Sequence, residues 1–195
     1  MIAFDINKTI EAAAYLIKRQ PGARENYMRM LKLLYLADRL SLQERGMPIC
    51  GDTVYAMERG PVMSVTLDLV HGADSFADRW DRFIKKDVYE VVLKADPGNR
   101  NLSRAEIKIL ERVAEQFRGQ DEWDMVEWCH KHLPEYEKNW DARGESKRKR
   151  IPLCDVLEAV GRRDDQKRIV AEINESAAFD QFFGNHLPTV QGFEQ

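Results

Sequence analysis

The sequence predicts a mainly α-helical fold: a single compact domain around a central buried helix, with a small antiparallel β element of two or three strands. Apolar side chains recur every three or four residues in most segments, which is typical of amphipathic helices. Two short runs rich in β-branched and aromatic residues are typical of strands instead. A chain of 195 residues is long enough for one ordinary domain but short for two.

The composition narrows the class of protein. Hydrophobic residues make up 44% of the chain and charged residues 32%, a balance that excludes an intrinsically disordered protein. No run approaches the roughly 20 apolar residues of a membrane helix, and no signal-peptide core follows Met1. We therefore expect a soluble cytoplasmic protein. The net charge of -3 removes global basicity as an argument for nucleic-acid binding.

The first two helices are predicted from periodicity and from the residues that end them. Residues 6–17 carry one apolar face, and Pro21 follows them. Residues 25–45 are apolar on nearly every side, which indicates a helix surrounded by the rest of the fold. Gly46 and Pro48 come next, in the usual order for a helix C-terminus.

The β element is predicted from two short segments. Residues 53–57 favour a strand, and Gly60 with Pro61 then favours the start of a helix that ends near His71. Residues 88–93 favour a second strand. Because two short strands cannot stand alone, we expect them to pair with each other and to pack against helices.

The following segments are predicted to be helical again. Ser103 and Glu106 form a capping box at the start of a helix that continues to Gly119. A further helix is expected over residues 121–132. The capping box at Ser103 is the sharpest local signal in the chain.

The C-terminal part begins with a charged segment, residues 143–150, which we interpret as a linker. Pro152 then starts a short helix, and Asp164 can cap the next one. We expect the domain to span residues 1–175, with residues 176–195 as a tail. The tail carries an apolar stripe that either folds back onto the domain or docks on another chain, formed by Phe179, Phe182 and Phe183.

A search for catalytic and metal-binding motifs returns little. The chain has no phosphate-binding glycine loop, no Gly-x-Ser-x-Gly motif and no His-Glu-x-x-His pair. Cys129 and His132, three residues apart on a helix, are the best metal candidates, and further ligands would have to come from Cys50, Cys154, His71 or His186. Since no second close pair of ligands exists, we predict no metal and no cofactor, and interpret Cys129 as a buried thiol.

Three features are candidates for binding a partner. Gly60 and Pro61, with Arg59 beside them, favour either an anion site at a helix start or a purely structural turn. The basic residues 147–150 suit either phosphate contacts or a solvated linker. Trp80 lies in a polar stretch and is either a core residue or an exposed anchor for a partner.

Several elements of the sequence occur in the order of one known family. In the first half they are Lys32-Leu33-Leu34-Tyr35, Gly46 and Pro48, Tyr55-Ala56 and Gly60-Pro61-Val62. In the second half they are Leu102-Ser103 with Glu106, then His130 or His132, and Trp140. Over residues 5–175 their order and spacing resemble the Panacea domain, the SocA-like antitoxin domain of bacterial and phage toxin–antitoxin systems.

The resemblance implies a mainly helical antitoxin that acts without catalysis. It would bind and neutralise a cognate protein toxin encoded by an adjacent gene, and some members of the family resemble adaptors that deliver the toxin to a bacterial protease. Two other functions stay open from the residues themselves: a nucleic-acid-binding regulator that uses residues 147–150, and an enzyme without a recognisable motif.

For a protein partner we expect the contact at the edge built by residues 53–61, because an unpaired strand edge can accept a strand from another chain. Arg59 would then pair with a partner carboxylate, and Trp80 with its flanking charges would form a second contact. The residues expected to bind the partner are Asp52, Tyr55, Arg59, Gly60, Pro61 and Trp80.

Overall fold

The structure is a computed structural model that describes residues 4–141, 144 and 146–184. The helices in this part of the chain are α1 (Ile6–Ile17), α2 (Tyr27–Arg45), α3 (Ser64–Val70), α4 (Ala77–Asp81), α5 (Arg104–Gln116), α6 (Glu122–His132), α7 (Pro134–Asn139), α8 (Leu153–Ala159) and α9 (Gln166–Gly184). The strands are β1 (Arg24–Asn26), β2 (Val54–Met57), β3 (Gly60–Met63), β4 (Ile84–Asp87), β5 (Glu90–Leu93) and β6 (Arg148–Arg150). The predicted fold class, mainly helical with a small β element, is confirmed.

Helix α2 is the centre of the fold, as predicted. The Asn26 side chain caps its start by accepting the backbone N–H groups of Met28 and Arg29 at 2.9 and 3.3 Å. Gly46, at φ +73°, ends it in the left-handed conformation that favours glycine. Nearly every side chain between these ends is buried down to Leu42, because α1, α3, α5, α6 and α8 all pack against this helix.

The β element consists of two separate three-stranded antiparallel sheets, with strand orders β1-β5-β4 and β3-β2-β6. The expectation that the two predicted strands pair with each other is therefore wrong. The first predicted strand, β2, pairs with β3, which follows it after a two-residue turn. The second predicted strand, β5, pairs with β4, which precedes it by a two-residue turn. Local pairing prevails because closing a two-residue loop costs little chain entropy.

Gly60 and Pro61 do not start a helix, so the anion site considered there is wrong as well. Both residues lie in β3, where Pro61 stands opposite Ala56. A proline without an N–H is tolerated there because β3 is an outer strand of its sheet. The following helix begins at Ser64.

The capping signals that follow β5 are confirmed. Ser103 and Glu106 form the expected capping box on α5, and Asp121 caps α6. Helix α7 was not predicted, and the interpretation of residues 148–150 as a linker is wrong, since they form β6 at the edge of a sheet. Exposed charged side chains are typical of edge strands, which explains why β6 reads as a charged segment.

Only part of the predicted C-terminal tail, residues 176–195, lies within the described residues. The side chains of Phe179, Phe182 and Phe183, and all of residues 185–195, lie outside the described residues, so the docking of the tail stays a prediction. No helix within the described ranges is long and apolar enough to cross a membrane.

Candidate functional site

The turn between β2 and β3 is held from inside the protein by Lys32 of α2. The Lys32 side chain is 1% exposed, and its Nζ donates a hydrogen bond to the backbone carbonyl of Arg59. Burial lowers the pKa of Lys32 to about 8. Gly60 adopts φ +96°, and a Cβ at this position would lie 2.9 Å from Lys32 Nζ. The positive φ favours glycine here, and a Cβ would also force Lys32 Nζ to shift.

Tyr136 holds the other side of the same turn. Its hydroxyl donates to the backbone carbonyl of Met57 at 2.9 Å and lies 3.1 Å from Nε2 of His130, whose ring is stacked on the Tyr136 ring. Burial raises the pKa of Tyr136 to about 12, so the hydroxyl keeps its proton at neutral pH. Two side chains from distant helices thus fix the backbone of this hairpin.

The fixed turn presents Arg59 to solvent beside an exposed tryptophan. The Arg59 guanidinium lies 5.0 Å from the centre of the Trp123 ring, and Trp123 is 53% exposed. Sequence reasoning missed Trp123. A helical wheel contains the signal, because at 100° per residue Trp123 points about 160° away from the buried Met125 on α6.

A second arginine–aromatic pair joins β6 to β2. Arg148 of β6 lies 3.8 Å from the centre of the Tyr55 ring and donates to Ser64 Oγ at 3.3 Å. Arg150 stands directly opposite Tyr55 in the strand pairing, so both side chains project from the same face of the sheet. We call Tyr55, Arg59, Trp123 and Arg148 the hairpin surface.

The edge of β2 that was expected to be free is covered. Strand β6 pairs with it from Tyr55 to Met57, and β3 pairs with it on the other side. The expectation of an unpaired edge at residues 53–61 is therefore wrong for β2. Tyr55 and Arg59 nevertheless lie at the protein surface, and their role in binding stays a prediction.

Three other predicted partner residues are buried and stabilise the fold. Gly60 and Pro61 are buried under α2 and α6. The Asp52 carboxylate is buried and caps α3, where it accepts the N–H groups of Val65 and Thr66 at 3.0 and 2.8 Å. These three residues shape the hairpin and the helix after it.

The expectation that Trp80 is exposed is wrong. Its side chain is 0% exposed and belongs to the core. Trp80 lies in the five-residue helix α4, and its charged neighbours Arg79 and Asp81 are exposed. Adjacent residues on a helix point about 100° apart, so a polar sequence context does not place a tryptophan at the surface.

The predicted metal candidates Cys129 and His132 have other contacts, and the candidate ligand His186 lies outside the described residues. Cys129 is buried, and burial raises the pKa of its thiol to about 11. The His132 ring stacks on Trp128, and its Nδ1 lies 2.8 Å from the Trp128 carbonyl oxygen. Within the residues that the structure describes, no three His, Cys, Asp or Glu side chains are grouped so that they could hold a metal ion.

Comparison with known proteins gives one match. The family model described as "Antitoxin SocA-like, Panacea domain" matches residues 30–135, which is more than half of the chain. The matched segment contains Lys32, the β2–β3 hairpin and α6 with Trp123. Searches of the curated proteins and of the solved structures gave no match.

Proposed function

The chain belongs to the family of SocA-like antitoxins with a Panacea domain, and from this premise we propose that it binds a cognate protein toxin in the cytoplasm and neutralises it through the hairpin surface. The observation that supports this surface is the Arg59–Trp123 pair on a turn whose backbone is held by buried side chains. Tryptophan, tyrosine and arginine are the residues that most often dominate protein–protein binding energy.

The fixed backbone favours tight binding. A loop that orders only on contact with a partner loses conformational entropy, which reduces the affinity. The carbonyls of Met57 and Arg59 are already bonded to Tyr136 and Lys32 in the free protein. A partner that binds Arg59 and Trp123 therefore meets a surface that needs little further ordering.

The charge of the surface predicts the charge of the partner. Arg59, Arg148 and Arg150 are exposed around the hairpin although the whole chain has a net charge of -3. A face rich in arginine attracts a face rich in carboxylates and accelerates the encounter. We therefore propose that the toxin presents acidic side chains around an apolar or aromatic contact.

The test is co-expression of the adjacent-gene toxin with the wild type or with Arg59→Glu/Trp123→Ala. We expect this double variant to lose growth rescue and to bind the toxin at least about 30-fold more weakly, as is typical of a hot spot worth 2 kcal/mol. Arg100→Glu is the matched control, because Arg100 is exposed and makes no hydrogen bond or ion pair within the described residues. Thermal unfolding of each variant checks that the fold is intact.

Full rescue by the double variant would exclude the hairpin surface. Absence of any complex between the wild type and the toxin would exclude neutralisation by binding. The toxin level in the same cells distinguishes the two routes of neutralisation. A constant level indicates sequestration, whereas a fall that depends on the antitoxin indicates delivery to a protease.

One observation favours a second function, a nucleic-acid-binding regulator. Arg148 lies over Tyr55, so the basic strand β6 has an aromatic neighbour in space that it lacks in the sequence. Binding to duplex DNA would weaken steeply with added salt, because phosphate contacts release counterions. A salt-dependent affinity for DNA that Arg148→Glu abolishes, together with no affinity for the toxin, would favour this second function.

A further inference from the structure

A cleft of about 230 Å³ opens beside the central helix, away from the Arg59–Trp123 pair. It lies between α2, the segment before β2, the end of β6 and the helices α8 and α9. Its walls are mainly apolar, with Leu42, Val54, Leu153, Val156 and Val170 among the lining residues. Such a concave apolar space with a few polar groups is the usual form of a small-molecule site.

Two carboxylates line the cleft, but their oxygens are engaged within the protein. Asp38 accepts three backbone N–H groups, at 2.8 to 3.0 Å, from Ile49, Cys50 and Gly51. Asp52 caps α3, as described above. Both side chains are buried. They position the segment before β2 and leave little hydrogen-bonding capacity for a ligand.

The charged donors among the lining residues are two guanidinium groups. Arg39 donates through Nε to Glu135 Oε1 at 2.7 Å, and its Nη2 lies 3.5 Å from Oε2 of the same carboxylate. Glu135 has a side chain that is 0% exposed, and it also accepts the Tyr35 hydroxyl at 2.7 Å. This network fixes Arg39, whose Nη1 has no acceptor within the described ranges.

Arg150 supplies the second guanidinium. It is exposed, lines the cleft, and its side chain has no ion pair or hydrogen bond with any residue that the structure describes. A guanidinium binds carboxylate with two parallel hydrogen bonds when its geometry is free to do so. Both open donors at the cleft are therefore suited to an anion.

We propose that the cleft binds a small amphipathic carboxylate, a carboxylic acid with an aliphatic chain. The carboxylate pairs with Arg150 and with the open Nη1 of Arg39, and the chain lies against the apolar walls. Inorganic phosphate has no apolar part to contact these walls, and a volume of about 230 Å³ is below the roughly 300–1,000 Å³ of sites for larger ligands. The proposal does not rest on toxin binding, although Arg150 also belongs to the arginine-rich face around the hairpin.

The test uses the full chain with octanoate as the probe. Octanol, which lacks the carboxylate, and acetate, which lacks the long aliphatic chain, are the two control compounds. At a tenfold excess over its Kd, octanoate should raise the Tm by about 4 °C. Octanol and acetate at the same concentration should raise it by less than half as much, because each lacks one of the two contacts. Isothermal titration should give one bound octanoate per chain.

Two variants locate the site without removing Arg39, whose loss would leave the buried Glu135 unpaired. Arg150→Gln should weaken octanoate binding at least about fivefold, and Val170→Trp, which fills the cleft, should abolish it. Arg100→Gln is the control and should bind as the wild type does. The proposal is overturned if octanoate gives no Tm shift, if octanol equals octanoate, or if both variants keep the wild-type Kd.

Discussion

The two hairpins of this protein have turns of equal length but are stabilised in different ways. The β2–β3 turn, Glu58-Arg59, is held by buried side chains that come from α2 and α7. The β4–β5 turn, Val88-Tyr89, is held at the surface by Arg24, which donates to Asp87 and Glu90 at 2.6 and 2.8 Å, and by the backbone N–H of Tyr27, which donates to the Tyr89 carbonyl at 3.0 Å. Surface ion pairs of this kind contribute little, whereas buried bonds to a fixed backbone are costly to break.

The backbones of the two turns also differ. Gly60 provides the positive φ that the β2–β3 hairpin needs, at +96°. In the β4–β5 hairpin the positive φ falls on Val88, at +56°, and a β-branched residue is strained in that conformation. The hairpin with the proposed binding surface is thus held by two buried side chains, whereas the other hairpin retains local backbone strain at Val88.

The largest expected effect is that of Gly60→Ala, which would break the first hairpin. The new Cβ would displace Lys32 Nζ from the Arg59 carbonyl and would also strain the backbone, so we expect a loss of about 3 kcal/mol in the free energy of unfolding. Urea denaturation measures this loss. The control is Gly98→Ala, at φ +78° with no atom within 4 Å of the added Cβ, which should cost only about 1 kcal/mol. Equal losses in the two variants would show that the Lys32 contact contributes nothing.

An intermediate effect concerns the pH dependence that Lys32 creates. Its pKa is about 8 in the folded protein and near the ordinary 10.5 in the unfolded chain. Between these values the unfolded chain holds a proton that the folded protein has released, so stability rises with pH, by about 2 kcal/mol from pH 8 to pH 10. Lys32→Met removes this contribution.

The measurement is the free energy of unfolding of the wild type minus that of Lys32→Met at each pH, because the subtraction removes the titration of other lysines and tyrosines. A difference that stays constant from pH 8 to pH 10 would contradict the lowered pKa of Lys32.

The smallest effect is a gain in stability at the second hairpin. Val88→Asn should raise the free energy of unfolding by about 1 kcal/mol, because asparagine tolerates a positive φ and Val88 is 72% exposed, so that little packing is lost. Tyr89→Asn at the neighbouring position, whose φ is not positive, should bring no gain. A variant Val88→Asn with an unchanged or lower Tm would argue against strain at this turn.

The helices could be predicted because their determinants are local. Asp121 caps α6 from one residue before it, and Gly46 ends α2 from one residue after it. The family could also be recognised, since its elements keep their order along the chain. The sheets could not, because the strand that pairs with β2 on its outer edge, β6, follows it by about 90 residues and has the composition of a linker.

The candidate site shows the same division. Arg59 was predicted from its place beside Gly60, but its neighbour Trp123 lies on a helix that begins more than sixty residues later. The polar neighbours of Trp80 in the sequence do not indicate its exposure, because the core on its inner side comes from distant segments. The Tyr35–Glu135–Arg39 network of the cleft joins residues about 100 positions apart.

By itself, the sequence determined the positions of the main helices, the central place of α2 and the antitoxin-like family, because caps, periodicity and motif order act over a few residues. Only the tertiary structure decided which strands pair, which tryptophan is exposed, how the Arg59 turn is held and where the cleft opens. These features depend on side chains that meet across the fold, and the free energy of such contacts is set by burial and geometry that no local pattern records.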